Sequence, residues 1–257
     1  MSAPARELSS FPPPAASRDA GDPVAPELRR VGSGVARGFA VRSFGSGPPL
    51  LWLHGFTGSG LAWLETARRL GPRRHLLVDL PGHGAAHAPR EARAYAFERV
   101  VDALAGVLDA CHVGASDVVG YSLGARLALA LALRHPGRVR RAVLVGARAG
   151  LAHPAERAAR READRALAAR IEARGVPWFV SYWEGLALCS AQRARMRRER
   201  LSHTATGLAG ALRGLGPGAQ PPLFDGLPTL RRPVLLVAGE EDPRFVAAAR
   251  DLRARLP

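Results

Sequence analysis

A chain of 257 residues with 47% hydrophobic content is long enough for one domain with a sizeable core and an insertion. Its formal charge of +15 comes entirely from arginine; no lysine occurs, which excludes Schiff-base chemistry and a P-loop, since both need that amine. The 37 arginines are scattered along the chain, often beside Glu or Asp, which argues against nucleic acid as a partner.

Residues 1–28 are Pro, Ala, Ser and charge without periodicity and are predicted to form a disordered extension. From 29 to 149 short apolar runs alternate with amphipathic stretches. Strands are predicted at Phe39–Phe44, Leu50–His54, His75–Asp79, Asp117–Tyr121, Ala142–Gly146 and Val234–Gly239, and helices at Gly60–Leu70, Ala92–Cys111, Leu123–Arg134 and Arg244–Leu256. Several of the strand runs are apolar throughout, as a parallel sheet covered on both faces requires. The alternation stops over 150–228, where a charged helix at Pro154–Arg174 precedes Gly/Pro-rich loops such as Gly214–Pro222. That is too long for an ordinary crossover, so a helical cap is predicted there, with the core resuming at 229–257. Cys111 and Cys189 have neither metal-ligand nor disulfide-framework spacing and read as small buried hydrophobes. With no signal-peptide pattern and no apolar run of spanning length, a cytoplasmic protein away from membranes is expected.

The chemistry centres on Gly120-Tyr121-Ser122-Leu123-Gly124, which follows an apolar strand and opens an Ala/Leu-rich helix. In that context GxSxG is a nucleophile elbow: a tight turn lifts the Ser122 hydroxyl above the sheet edge, and the helix N-terminus faces any developing oxyanion. The fold class is therefore α/β, specifically the α/β-hydrolase fold: a mostly parallel sheet with helices on both faces and an inserted helical cap. The loop Leu53-His54-Gly55-Phe56-Thr57-Gly58 supplies a second oxyanion donor, so the backbone amides of Phe56 and Leu123 form the hole, with His54 structural. Asp79-Leu80-Pro81-Gly82-His83-Gly84 shapes a turn; Gly84 between His83 and His87 argues against a helical metal site. After the last strand, Asp242 is the candidate to orient a catalytic imidazole, or else caps the helix that starts at Pro243. No histidine follows it in the remaining 15 residues, so the triad histidine and the last strand and helix of the fold are expected to be missing.

Six segments together carry a closer resemblance. Leu53–Gly60 with Trp63, Asp79–Gly84, Gly120–Arg126 (GYSLGAR), Glu156–Arg160, Gly207–Gln220 and Gly239–Phe245 occur in order, and the sequence from about 35 to 257 resembles the 2-succinyl-6-hydroxy-2,4-cyclohexadiene-1-carboxylate synthases of menaquinone biosynthesis. The resemblance implies a cofactor-independent lyase that expels pyruvate from a small tricarboxylate, with Ser122 as the base. It further implies Arg126, Arg160 and Arg200 as carboxylate ligands, with Tyr121 and Trp183 lining the pocket. Taken by themselves, Arg160 could instead pair with Glu156 one turn back, and Arg200 could lie on a solvated face. The alternatives are an ester or C–C-bond hydrolase with the same machinery, and an inactive remnant.

Overall fold

The computed structural model describes residues 26–30, 38–186 and 193–257. The strands are β1 (Glu27–Arg30), β2 (Ala40–Phe44), β3 (Pro49–Leu53), β4 (Arg74–Asp79), β5 (Ser116–Tyr121), β6 (Val139–Val145) and β7 (Val234–Val237). They form one sheet in the order β1-β2-β4-β3-β5-β6-β7. β2 runs antiparallel to β1 and β4, and every other pairing is parallel. The helices of the core are α1 (Leu64–Arg69), α2 (Phe97–Ala110), α3 (Leu123–Arg134) and α7 (Pro243–Arg255).

Apolar runs make these strands because both faces are covered. Leu51, Leu53, Leu76 and Val78 turn to one side and pack with Val100 and Leu104 of α2 and Leu127 and Leu131 of α3. The alternate residues Leu50, Trp52 and Leu77 turn the other way, against Ala67 of α1. Each fully buried leucine contributes about 1.5–3 kcal/mol. The chain enters the region above the sheet at the carboxyl ends of β3, β5, β6 and β7, where open α/β sheets place their ligand sites.

Between β6 and β7 lies the helical insertion, made of α4 (Pro154–Glu184), α5 (Arg193–Leu201) and α6 (Ala205–Leu215). Ile171, Val176, Phe179 and Val180 of α4 pack on Leu208 and Leu212 of α6. Phe56, from the loop after β3, packs against both this cluster and the main core, and so ties the cap to the sheet.

The structure departs from the sequence expectations in three places. Glu27 and Leu28 belong to β1, opposite Ser43 and Arg42, because an exposed edge strand pairs through its backbone without apolar periodicity; residues 1–25 lie outside the described residues. The helix predicted to stop at Arg174 continues through Glu184: Gly175 takes φ 79° and kinks the chain, and Pro177 sits where a new helical stretch begins. A helix, α6, occupies part of what reads as Gly/Pro-rich loop. Its glycines are packing positions, since a Cβ at Gly210 or Gly214 would come within 2.6 Å of the Tyr95 ring or 2.3 Å of its carbonyl oxygen. Cys111 is buried, while Cys189 falls outside the described residues. Among the described residues no helix is long and apolar enough to cross a membrane.

Candidate active site

A cavity of about 480 Å³ lies where the carboxyl ends of the strands meet the cap. Eight of the nine residues singled out in the sequence line it: Phe56, Tyr121, Ser122, Leu123, Arg126, Arg160, Trp183 and Arg200. Ser122 joins β5 to α3 with φ 50° and ψ −106°, and its amide donates to Val145 O at 2.8 Å. That backbone is sparsely populated for a residue with a Cβ, as a nucleophile elbow demands. Phe56 and Leu123 flank the serine from two different loops, so their amides can face one bound oxygen. Trp183 reaches the cavity from the end of α4, its ring 5.4 Å from that of Phe56.

The arginines are fixed by partners distant in sequence. Arg126, one turn into α3, is buried; its Nη1 donates to Gln220 Oε1 at 3.0 Å and its Nη2 to Leu215 O at 2.7 Å. Burial lowers its pKa to about 10, with help from the charges of Arg160 and Arg148 and opposed by Asp164, so it stays cationic at neutral pH. Arg160 pairs with Asp164 one turn ahead, at 2.8 Å. Arg200 does not lie on a solvated face: it is 2% exposed, bonded to Glu184 at 3.1 Å and to Thr57 Oγ1 at 3.4 Å. Glu184 also holds Arg197. Three pocket residues went unnoticed in the sequence: Arg148, Gln220 and Arg244. Arg148 and Arg244 follow the ends of β6 and β7, and a strand-end position is the only signal that marks them.

Asp242 does not line the cavity, although its neighbours Arg244 and Phe245 do. One carboxylate oxygen accepts from the Phe245 amide at 3.3 Å and caps α7, while the other, Oδ2, is buried without a hydrogen-bond partner. The capping role and a free carboxylate oxygen thus coexist in one side chain.

Among the histidines of the described residues, only His54 lines the cavity, and both its ring nitrogens are committed. Nδ1 donates to Gly55 O at 2.8 Å and Nε2 accepts from the Leu80 amide at 3.1 Å. It stands in a buried row with His83 and His203, ring centroids 5.0 and 5.4 Å apart, and His203 Nε2 donates to Gly58 O at 3.2 Å. These rings brace the loop that carries Phe56. Asp79 completes the support, accepting from the amides of Gly60 and Ala85 and from Arg42. Among the described residues no cluster of His, Cys, Asp and Glu could hold a metal ion.

Residues 48–257 match the alpha/beta hydrolase fold family. A 2-succinyl-6-hydroxy-2,4-cyclohexadiene-1-carboxylate synthase of Yersinia pseudotuberculosis serotype O:3 (strain YPIII) is 32% identical over 217 residues, 82% of this chain and 78% of its own. A Bacillus subtilis (strain 168) protein that carries the same synthase name provisionally is 36% identical over 234 residues, 88% of this chain and 85% of its own. The chain belongs to this synthase family. The structure of MenH from S. aureus superimposes with a TM-score of 0.77 at 26% identity, covering 91% of this chain and 86% of that one. Within the synthase family framework, GYSLGAR acquires a structural meaning. It delivers the serine and Arg126 from a single elbow into one cavity.

The histidine row makes stability depend on pH. Burial lowers the pKa of His54 to about 4, and lowers those of His83 and His203 as well. Below about pH 6.5 the unfolded chain binds protons at these rings and the folded chain does not, so stability is fully present above that value and falls as pH drops toward about 4. His54 alone accounts for about 3 kcal/mol of that loss. Melting temperatures measured from about pH 7 to pH 4.5 should fall steeply below 6.5, and a flat profile would contradict the neutral, braced row.

Proposed function

We propose that this protein eliminates pyruvate from 2-succinyl-5-enolpyruvyl-6-hydroxy-3-cyclohexene-1-carboxylate to give 2-succinyl-6-hydroxy-2,4-cyclohexadiene-1-carboxylate, a step of menaquinone biosynthesis. The observation that carries this reading is the buried Arg126 directly behind the elbow serine, joined around one cavity by Arg160 and Arg200. A substrate with three carboxylates calls for several fixed guanidinium groups, which bind carboxylate bidentately. An esterase has no such need.

In the proposed reaction Ser122 Oγ takes a proton from the ring carbon. The electron pair left behind moves through the ring to form the second double bond. The carbon–oxygen bond to the enolpyruvyl group then breaks, and the departing enolate takes up a proton to become pyruvate. The amides of Phe56 and Leu123 stabilise the enolate-like charge that develops before cleavage. No acyl-enzyme forms. Asp242 Oδ2 is the acid that would orient an imidazole at Ser122.

The test is pyruvate release from the enolpyruvyl substrate, followed with lactate dehydrogenase and NADH. It is run on the 257-residue chain and on the same chain carrying the C-terminal segment of the Bacillus subtilis relative after Pro257. Release is expected with a histidine-bearing segment present. Silence in both forms, or hydrolysis of p-nitrophenyl esters without pyruvate release, would overturn the lyase reading.

A further inference from the structure

Arg126, Arg160 and Arg200 each reach the cavity already bonded to protein oxygens, those of Gln220 and Leu215, Asp164, and Glu184 respectively. Arg148 differs. It lies three residues beyond β6 and lines the same cavity. Its Nε is buried without a hydrogen-bond partner, and no carboxylate among the described residues pairs with it. Yet it is not a loose surface side chain. Its guanidinium carbon lies 5.3 Å from the centroid of the Phe245 ring, on the first turn of α7, which fixes the plane of the fork. Its main chain is held too, because Gln220 Nε2 donates to Arg148 O at 3.3 Å while Gln220 Oε1 accepts from Arg126. One glutamine therefore sets the spacing between the two arginines.

An oriented cation, with its donors unused and like charges nearby, gains most from an anion. We propose that Arg148 is an additional substrate-binding arginine, holding a carboxylate of the ligand on the Phe245 side of the cavity. This rests on the tricarboxylate reading of the site. It assigns the un-neutralised charge of the pocket to Arg148, where the sequence pointed to the other three arginines. Their ion pairs and hydrogen bonds make them partly wall and partly ligand, whereas Arg148 has nothing else to bind. The Phe245 stack adds selectivity for a planar guanidinium at this position, so lysine is a poor replacement.

The experiment compares wild type with Arg148→Gln and Arg148→Lys, using propane-1,2,3-tricarboxylate as an equilibrium probe at low salt. Tryptophan fluorescence reads binding, since Trp63 and Trp183 line the cavity. Arg148→Gln should weaken the probe about tenfold or more, and Arg148→Lys should recover only part of that loss. Melting temperatures should stay unchanged, because no protein group loses a side-chain partner. In turnover, KM should rise about tenfold with kcat within about threefold, the pattern of a binding contact equal in ground and transition states. Equal probe affinity in wild type and Arg148→Gln would overturn the inference, as would a wild type that fails to bind the probe, or full recovery by lysine. The two readings fail separately. Arg148-dependent probe binding without pyruvate release would sink the lyase and keep this site, while pyruvate release with an unchanged KM in Arg148→Gln would do the reverse.

Discussion

Ser122→Ala should reduce pyruvate release by roughly a thousandfold or more while leaving binding of a tricarboxylate probe within about twofold of wild type. The asymmetry follows from the layout of the cavity. Charge recognition is carried by arginines on α3, on the cap helices and beyond β6, whereas the proton-abstracting oxygen comes from the elbow alone. Removing Oγ deletes the base without deleting a carboxylate ligand, so kcat falls and KM stays. A parallel loss of probe binding would mean that the serine hydroxyl is chiefly a binding group.

The same residue stores strain, which supplies a second readout. With φ at 50° and ψ at −106°, a side chain at position 122 costs on the order of 1–3 kcal/mol. Ser122→Gly relieves it, so this variant should be equally inactive and yet melt higher than Ser122→Ala, by an amount corresponding to about 1 kcal/mol after the entropy of the unfolded glycine is counted. Stability and activity moving in opposite directions at one position is the signature of a backbone held for function.

What could be read from the sequence divides along physical lines. The elbow was legible because strand, turn and helix are contiguous, and the structure places α3 at Leu123–Arg134 as the pattern predicts. Arg200 was not legible in the same way. Its local surroundings, Arg197-Arg198-Glu199, look solvated, and only Glu184 and Thr57, brought up by the cap and the loop after β3, bury it. Helix α6 was hidden because glycine counts against helix in isolation, and the packing against Tyr95 that makes Gly210 and Gly214 useful comes from more than a hundred residues away. Asp242 was readable as a triad acid or as a cap. The structure shows that two oxygens allow one residue to cap a helix and still present a free acceptor. Arg148 carried no local mark, since its isolation from carboxylates is a property of the folded cavity.

The glycines of the elbow support the largest expected effect on stability. A Cβ at Gly124 would lie 2.2 Å from Leu53 O and 2.8 Å from His54 O, both main-chain atoms at the end of β3. One at Gly120 would lie 2.4 Å from Gly124 O. Backbone cannot rotate away as a side chain can, so Gly124→Ala must push α3 off β3. A cost of about 3 kcal/mol or more is expected, corresponding to a fall in melting temperature of roughly 6–12 °C. Gly137→Ala, where nothing lies within 4 Å of the added carbon, serves as the control and should change stability by less than about 0.5 kcal/mol. The contact matters for chemistry as well as stability. Leu53 and His54 lead into the loop bearing Phe56, and Gly124 follows Leu123, so this approach sets the separation of the two oxyanion donors. Folded Gly124→Ala should therefore lose about a hundredfold in kcat beyond what its folded fraction explains. An unchanged melting temperature, or full kcat per folded molecule, would show that the close approach of β3 and α3 does not govern the site.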